Sequence, residues 1–147
     1  MKHLTYLVLV SMLLFSYSTG EARNTLLKVS IEEALAWGED EGVLKSSVRL
    51  YFGDQAHPAI EREIGTYTAN RKTNGVGKSD RKACKWAFLS AMVTLQDRAI
   101  AEGGNAVVNI HSYYYKNEFS SATEFECGAG AIMAGVTMVG DVVQLAE

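Results

Sequence analysis

The five residues Gly75-Val76-Gly77-Lys78-Ser79 come nearest, in this chain of 147, to a known chemical spacing. Gly-Lys-Ser at the opening of a helix is the end of a phosphate loop, where backbone amides cradle phosphates and the lysine meets their charge. The full pattern needs another glycine five positions before Gly77, and Lys72 stands there. A helix-capping loop is therefore the reading of this segment. The two histidines beyond the N-terminal stretch, His57 and His111, lie far apart, and metal sites need three or four clustered ligands. No serine sits in a Gly-x-Ser-x-Gly turn and no Cys–His pairing can be argued. The carboxylates are too many and too scattered to single out an acid–base pair. The sequence thus assigns no catalytic residue, no metal ligand and no cofactor-binding residue.

Sulfur chemistry depends on where the chain folds, and the N-terminus speaks to that. Lys2 and His3 precede an apolar run from Leu4 to Phe15, followed by the small-residue exit Ser18-Thr19-Gly20-Glu21-Ala22. That order is a secretory signal peptide, with cleavage expected after Ala22 or after Gly20. The run is shorter than the roughly 18–20 apolar residues that span a bilayer, and nothing later reaches that length, so no stable membrane insertion is expected after cleavage. The expected location is the periplasm. In such an oxidising space Cys84 and Cys127, the only two cysteines, tend to pair. A bridge would close a loop of about 43 residues and contribute about 4 kcal/mol on a chain-entropy estimate. The alternative is two buried thiols, because spacing alone does not give the separation a bridge demands.

The remaining chemistry is that of contact surfaces. Tyr113, Tyr114 and Tyr115 stand near Glu118, Phe119, Glu124 and Glu126, as expected for an exposed β-hairpin stabilised by cross-strand pairs. Exposed tyrosines favour interfaces. A second candidate surface lies on the long helix. Cys84, Phe88, Ala91, Met92, Leu95 and Ala99 make one apolar face, and Trp86, Leu89, Val93 and Ile100 make another nearly opposite. Either the N-terminal helix covers the second stripe with Leu35 and Trp37, or a partner does.

The elements that must carry these residues read as follows. Ser30-Ile31-Glu32-Glu33 fits a capping box for a short helix ending at Gly38. Val48 to Phe52 and Ile60 to Lys72 read as strands. Ser79 and Asp80 cap a long helix to Glu102, closed by Gly103-Gly104. Asn105 to Tyr115 is the strongest strand, and Thr123 to about Met138 a Gly-rich one that Asp141 to Leu145 extends or edges. In that strand Gly128, Gly130 and Gly135 mark close backbone approach, read as packing of the long helix, with a bound ligand as the alternative. The expected architecture is α+β: one long helix on an antiparallel sheet of about four strands (β-β-α-β-β), with a short N-terminal helix. The expected division is 1–22 signal peptide, 23–46 N-terminal helical segment and 47–147 a single domain. A net charge of −3, unchanged by removal of Lys2 and Glu21, offers no basic footprint for nucleic acid.

The second half also resembles a known group. Ala83 to Ala99 followed by Glu102-Gly103-Gly104-Asn105-Ala106-Val107-Val108-Asn109-Ile110 resembles the superfamily of YbjQ-type domains and the RcsF signalling domain, over about Ala83 to Val139. Phe125-Glu126-Cys127-Gly128-Ala129-Gly130-Ala131 is similar to the cysteine-bearing last strand of the RcsF branch. Val48 to Gln55 and Asn117 to Ser121 resemble short exported proteobacterial proteins that carry an excinuclease ABC or "excinuclease ATPase" label, over most of the mature chain. The label conflicts with an export signal, a broken Gly-Lys-Ser loop and only two cysteines.

The resemblance implies an α+β domain with a disulfide that senses or binds. The lipid-anchoring cysteine and second cysteine pair of RcsF are absent here, as is any ligand cluster for the heavy metals suggested for YbjQ-type domains. The function expected is a non-catalytic periplasmic binding or sensing module with an envelope protein partner, a homo-oligomer being a further partner class. A small periplasmic hydrolase is the alternative, and a nucleotide- or DNA-binding protein, with a positive groove near Lys72, Lys78, Arg81 and Lys82, is third.

Overall fold

The computed structural model describes residues 23–147, so the expected signal peptide lies outside the described residues. Nine elements follow in chain order: β1 (Asn24–Ser30), α1 (Ile31–Asp40), β2 (Arg49–Phe52), β3 (Ile60–Asn74), α2 (Asp80–Glu102), β4 (Ala106–Tyr114), β5 (Asn117–Phe119), β6 (Glu124–Gly130) and β7 (Met133–Leu145). The α+β class stands, but the four-strand antiparallel sheet does not: a seven-stranded mixed sheet carries two helices. Four features account for the difference, the first being the short strand β5, which pairs with β4. Residues 24–30, expected within a helical segment, form β1, whose antiparallel partner β6 lies about a hundred residues away along the chain. The Gly-rich run is two strands, β6 and β7, joined by a turn at Ala131 and Ile132. The short β2 runs parallel to β4, not antiparallel.

β7 organises the sheet. Along one edge it pairs with β3 over nearly its whole length, from Met133 opposite Asn74 to Leu145 opposite Ile60. Its other edge is shared: β6 takes Ala134 and Gly135, and β4 takes Met138 to Val143. The sheet forks between β4 and β6, and Ser112 spans the fork. Its buried hydroxyl accepts the Glu126 amide at 2.9 Å and lies 3.6 Å from Met138 Sδ. A hydroxyl placed there satisfies a backbone donor that the divergence of the strands leaves without a carbonyl.

Both helices start as the sequence dictates. Ser30 Oγ accepts the Glu33 amide at 3.2 Å and Ser79 Oγ the Lys82 amide at 3.1 Å. α1 runs past Gly38 to Asp40, while α2 stops at Gly103, whose φ of 80° only glycine adopts cheaply. α2 lies across one sheet face, with Phe88 stacked on Phe125 at 4.2 Å between ring centres. Cys84 and Cys127 form a disulfide there, Cα atoms 5.8 Å apart, fixing α2 to β6 inside the core. The first part of the second stripe of α2 is covered from within the chain, while Ile100 stays half exposed. Trp37 meets Trp86 edge-on at 4.6 Å, and Leu89 packs beneath Gly38 and is 1% exposed. Further along, the buried Gln96 amide binds Lys45 N and O at 2.9 and 2.8 Å and Val48 O at 2.9 Å, fixing the connection 41–48. No described helix is long and apolar enough to cross a membrane.

Candidate functional site

Side chains alternate across a strand, so the two faces of β3 and β7 carry different residues. Ala69, Val136 and Met138 are buried under α2, and Arg71 reaches Thr94 of α2 at 2.8 Å. The residues between them, Thr68, Asn70, Lys72, Gly135 and Thr137, line a groove of about 600 Å³ on the other face. Its walls come from the start of β1, with Arg23 and Asn24, and from the β4–β5 hairpin, with Tyr113, Tyr114, Tyr115 and Lys116. Gly128 and Gly130 of β6 form part of its floor.

The hairpin presents its tyrosines because of its turn. Tyr115 and Lys116 both take positive φ, 49° and 62°, which gives a two-residue connection whose twist matches the flanking strands. Tyr114 and Tyr115 meet edge-on at 4.6 Å. The Tyr114 ring lies across Gly128, where any Cβ would overlap its hydroxyl. Gly135 likewise lies beneath the Lys72 side chain. These glycines therefore serve the open face and not the packing of α2, which falls to Gly140: a Cβ there would run into Val107, with Ile110 and Leu95 close by. Burial pushes the Tyr114 hydroxyl above the ordinary tyrosine range, and its neighbour Tyr115 adds to the rise.

The electrostatics are one-sided. No Asp or Glu lines the groove, while Arg23, Lys72 and Lys116 do. Arg23 is committed: its guanidinium bonds Asp80 at 2.8 and 3.1 Å and the Gly130 carbonyl at 2.7 Å. Those hydrogen bonds, with the charge behind them, hold the Asp80 carboxyl below the usual carboxylate range. Lys72 and Lys116 have no ion-pair partner among the described residues. Ammonium groups, amides, hydroxyls and tyrosine faces around glycine backbone suit holding an anionic or acidic partner, and no general base lies within the groove.

Comparison with protein-family models, with curated proteins and with solved structures finds no match to this chain. The site therefore stands on its own geometry.

The residues singled out from sequence fall into two sets. Tyr113 and Tyr115 are exposed at the groove, and Tyr114 is half-buried in its wall. Glu118 pairs across the hairpin with Tyr113 and lies 3.6 Å from His111 Nε2. His111 Nδ1 sits 2.7 Å from the Asn109 carbonyl and so carries its proton there. Phe119 is half-buried with Lys28 over its ring at 4.4 Å. Trp86, Leu89 and Val93 belong elsewhere: Leu89 has almost no exposed surface, and the other two are half-buried. Trp86 and Leu89 form an internal seam with α1, while Ile100 at the far end of that stripe is 50% exposed.

The Gly75–Ser79 segment caps α2 and closes on itself, with Lys78 Nζ bound to the Asn74 carbonyl at 2.9 Å. Among the described residues no three His, Cys, Asp or Glu side chains converge. Sequence reasoning missed Arg23, Asn24 and Lys116 as groove residues and named Lys72 only for a nucleotide- or DNA-binding groove with Lys78, Arg81 and Lys82. These residues come from the start of β1, from β3 and from a turn, and the signal available was Lys116 directly after the tyrosine cluster.

Proposed function

We propose that this chain is a non-catalytic binding or sensing module of the periplasm, akin to RcsF/YbjQ-type domains, that engages an envelope protein through the groove and the β4–β5 hairpin. The observation that carries the reading is the composition of that groove: three tyrosines and two unpaired lysines over a glycine floor, with no carboxylate. The chemistry favours an acidic segment of the partner, since a lysine–tyrosine surface offers cation and hydroxyl donors without repulsion. A buried disulfide agrees with an oxidising, exported setting. The hydrolase reading has less support, because it needs two carboxylates gathered in a cleft.

Affinity capture from envelope extract tests the proposal, using the mature domain beside a Tyr115→Ala, Lys116→Glu variant. Both positions are exposed turn residues outside the core, and an unchanged melting temperature of the variant checks that the fold is kept. One stoichiometric protein should be retained by the parent and lost by the variant. Equal retention by both would move the contact surface elsewhere, and no retained protein at all would reopen the enzymatic reading.

A further inference from the structure

The net charge of −3 conceals a strongly uneven distribution. The segment 71–85 carries Arg71, Lys72, Lys78, Arg81, Lys82 and Lys85 against Asp80 alone. Asp80 is taken by Arg23 and Lys85 by Glu33 at 3.1 Å. Lys72, Lys78, Arg81 and Lys82 are exposed at one end of the sheet, where β3 finishes and α2 begins. The opposite end of the same strand carries Glu61 and Glu63, so the molecule has a cationic pole.

That pole also ends in exposed apolar side chains. The Gly75 amide donates to the Ile132 carbonyl at 2.6 Å, stitching the β3–α2 loop to the β6–β7 turn. As a result Val76, Ile132 and Met133 project together, at 64%, 64% and 45% exposure. Single exposed apolar residues are ordinary, but three at joined loop tips inside a ring of cations are not. Lys72 is shared with the groove, but Lys78, Arg81 and Lys82 lie outside it, exposed beside these apolar tips, which suits a flat anionic surface better than a strand or a small phosphate. Residues 1–22 join the described chain at Arg23, at this same pole.

We propose that this pole is a peripheral docking surface for an anionic phospholipid bilayer. Val76, Ile132 and Met133 enter the headgroup boundary while Lys78, Arg81 and Lys82 meet lipid phosphates. This surface adjoins the groove through Met133, but Val76, Ile132, Lys78, Arg81 and Lys82 lie outside it.

Co-sedimentation of the exported protein with vesicles tests it. Partition should be strong on mixed phosphatidylglycerol and phosphatidylcholine vesicles and absent on phosphatidylcholine alone. The variant Lys78→Glu, Arg81→Glu, Lys82→Glu should lose on the order of 100-fold in partition. Its new acids sit at the start of α2, where the helix dipole favours them, so its melting temperature should hold. Val76→Ser with Ile132→Ser should lose about tenfold while keeping every cation. Equal partition onto neutral vesicles, or undiminished binding by the triple variant, would overturn the proposal. So would tighter binding to duplex DNA or inositol hexakisphosphate that the apolar pair of substitutions leaves unchanged.

Discussion

Val136, Met138, Gly140 and Val142 on one face of β7 and Gly135, Thr137, Val139 and Asp141 on the other are neighbours in sequence but live in different solvents. The first set meets α2 in a dry core closed by Cys84–Cys127. The second is partly open to water, with Gly135 covered by Lys72 and Asp141 bonded to Thr66 at 2.6 Å. Even the glycines divide: Gly140 lets Val107 and Leu95 close over the core, whereas Gly128 makes a seat for Tyr114. The main core lies on the α2 face; the other face has a small buried cluster of Ala106, Val108, Val143 and Leu145 at one end and contact chemistry at the other. The exposed groove residues Tyr115, Lys116, Lys72 and Asn70 can accordingly change to suit a partner at little cost to folding.

Substitutions can break that comparison at several strengths. Replacing both Cys84 and Cys127 by Ala should cost about 4 kcal/mol for the 43-residue separation, read by urea denaturation. Loss of stability of less than about 1 kcal/mol would mean that the staple is not what holds α2 to β6. Leu89→Ala should cost about 3 kcal/mol, because α1 cannot collapse fully into the space left beneath Gly38. A change under about 0.5 kcal/mol, as surface substitutions give, would restore that stripe as a free surface. Gly140→Ala should cost about 2 kcal/mol by overpacking against Val107, and Thr137→Ala on the opposite face about 0.5 kcal/mol or less. Comparable losses from these two would erase the distinction between the faces.

The smallest effect is electrostatic. Asp80 is held below its ordinary range, so its pairing with Arg23 contributes at neutral pH and is lost as pH falls through that lowered value. Both groups are exposed, and the change should be visible by carboxyl NMR titration and not by unfolding. Arg23→Gln should return the Asp80 midpoint to the usual carboxylate range; an unmoved midpoint would remove the pair from the groove's architecture.

The sequence made some of this plain. α2 was legible from Ser79 to Gly103 because caps and periodicity are local signals. The cysteine pair was legible once the compartment was inferred. β1 was hidden, since Asn24–Ser30 becomes a strand only through β6, far along the chain. The parallel pairing of β2 and the fork at Ser112 were hidden for the same reason: both are tertiary facts with no local mark. Gln96, a polar residue of α2, is a buried clamp on Lys45 and Val48 that no local signal marks. The tyrosines were picked out by type alone, but the lysines that make the groove cationic emerged only when Lys72 and Lys116 were brought to the same face.

Site-specific photo-crosslinking in the intact envelope compares the working face with a control surface directly. A photoreactive side chain at position 115, on the hairpin, should yield one discrete protein adduct. The same group at position 40, on the exposed end of α1, should yield none. Equal labelling at both positions, or an adduct at 40 alone, would contradict the assignment of the open face as the surface through which this protein acts.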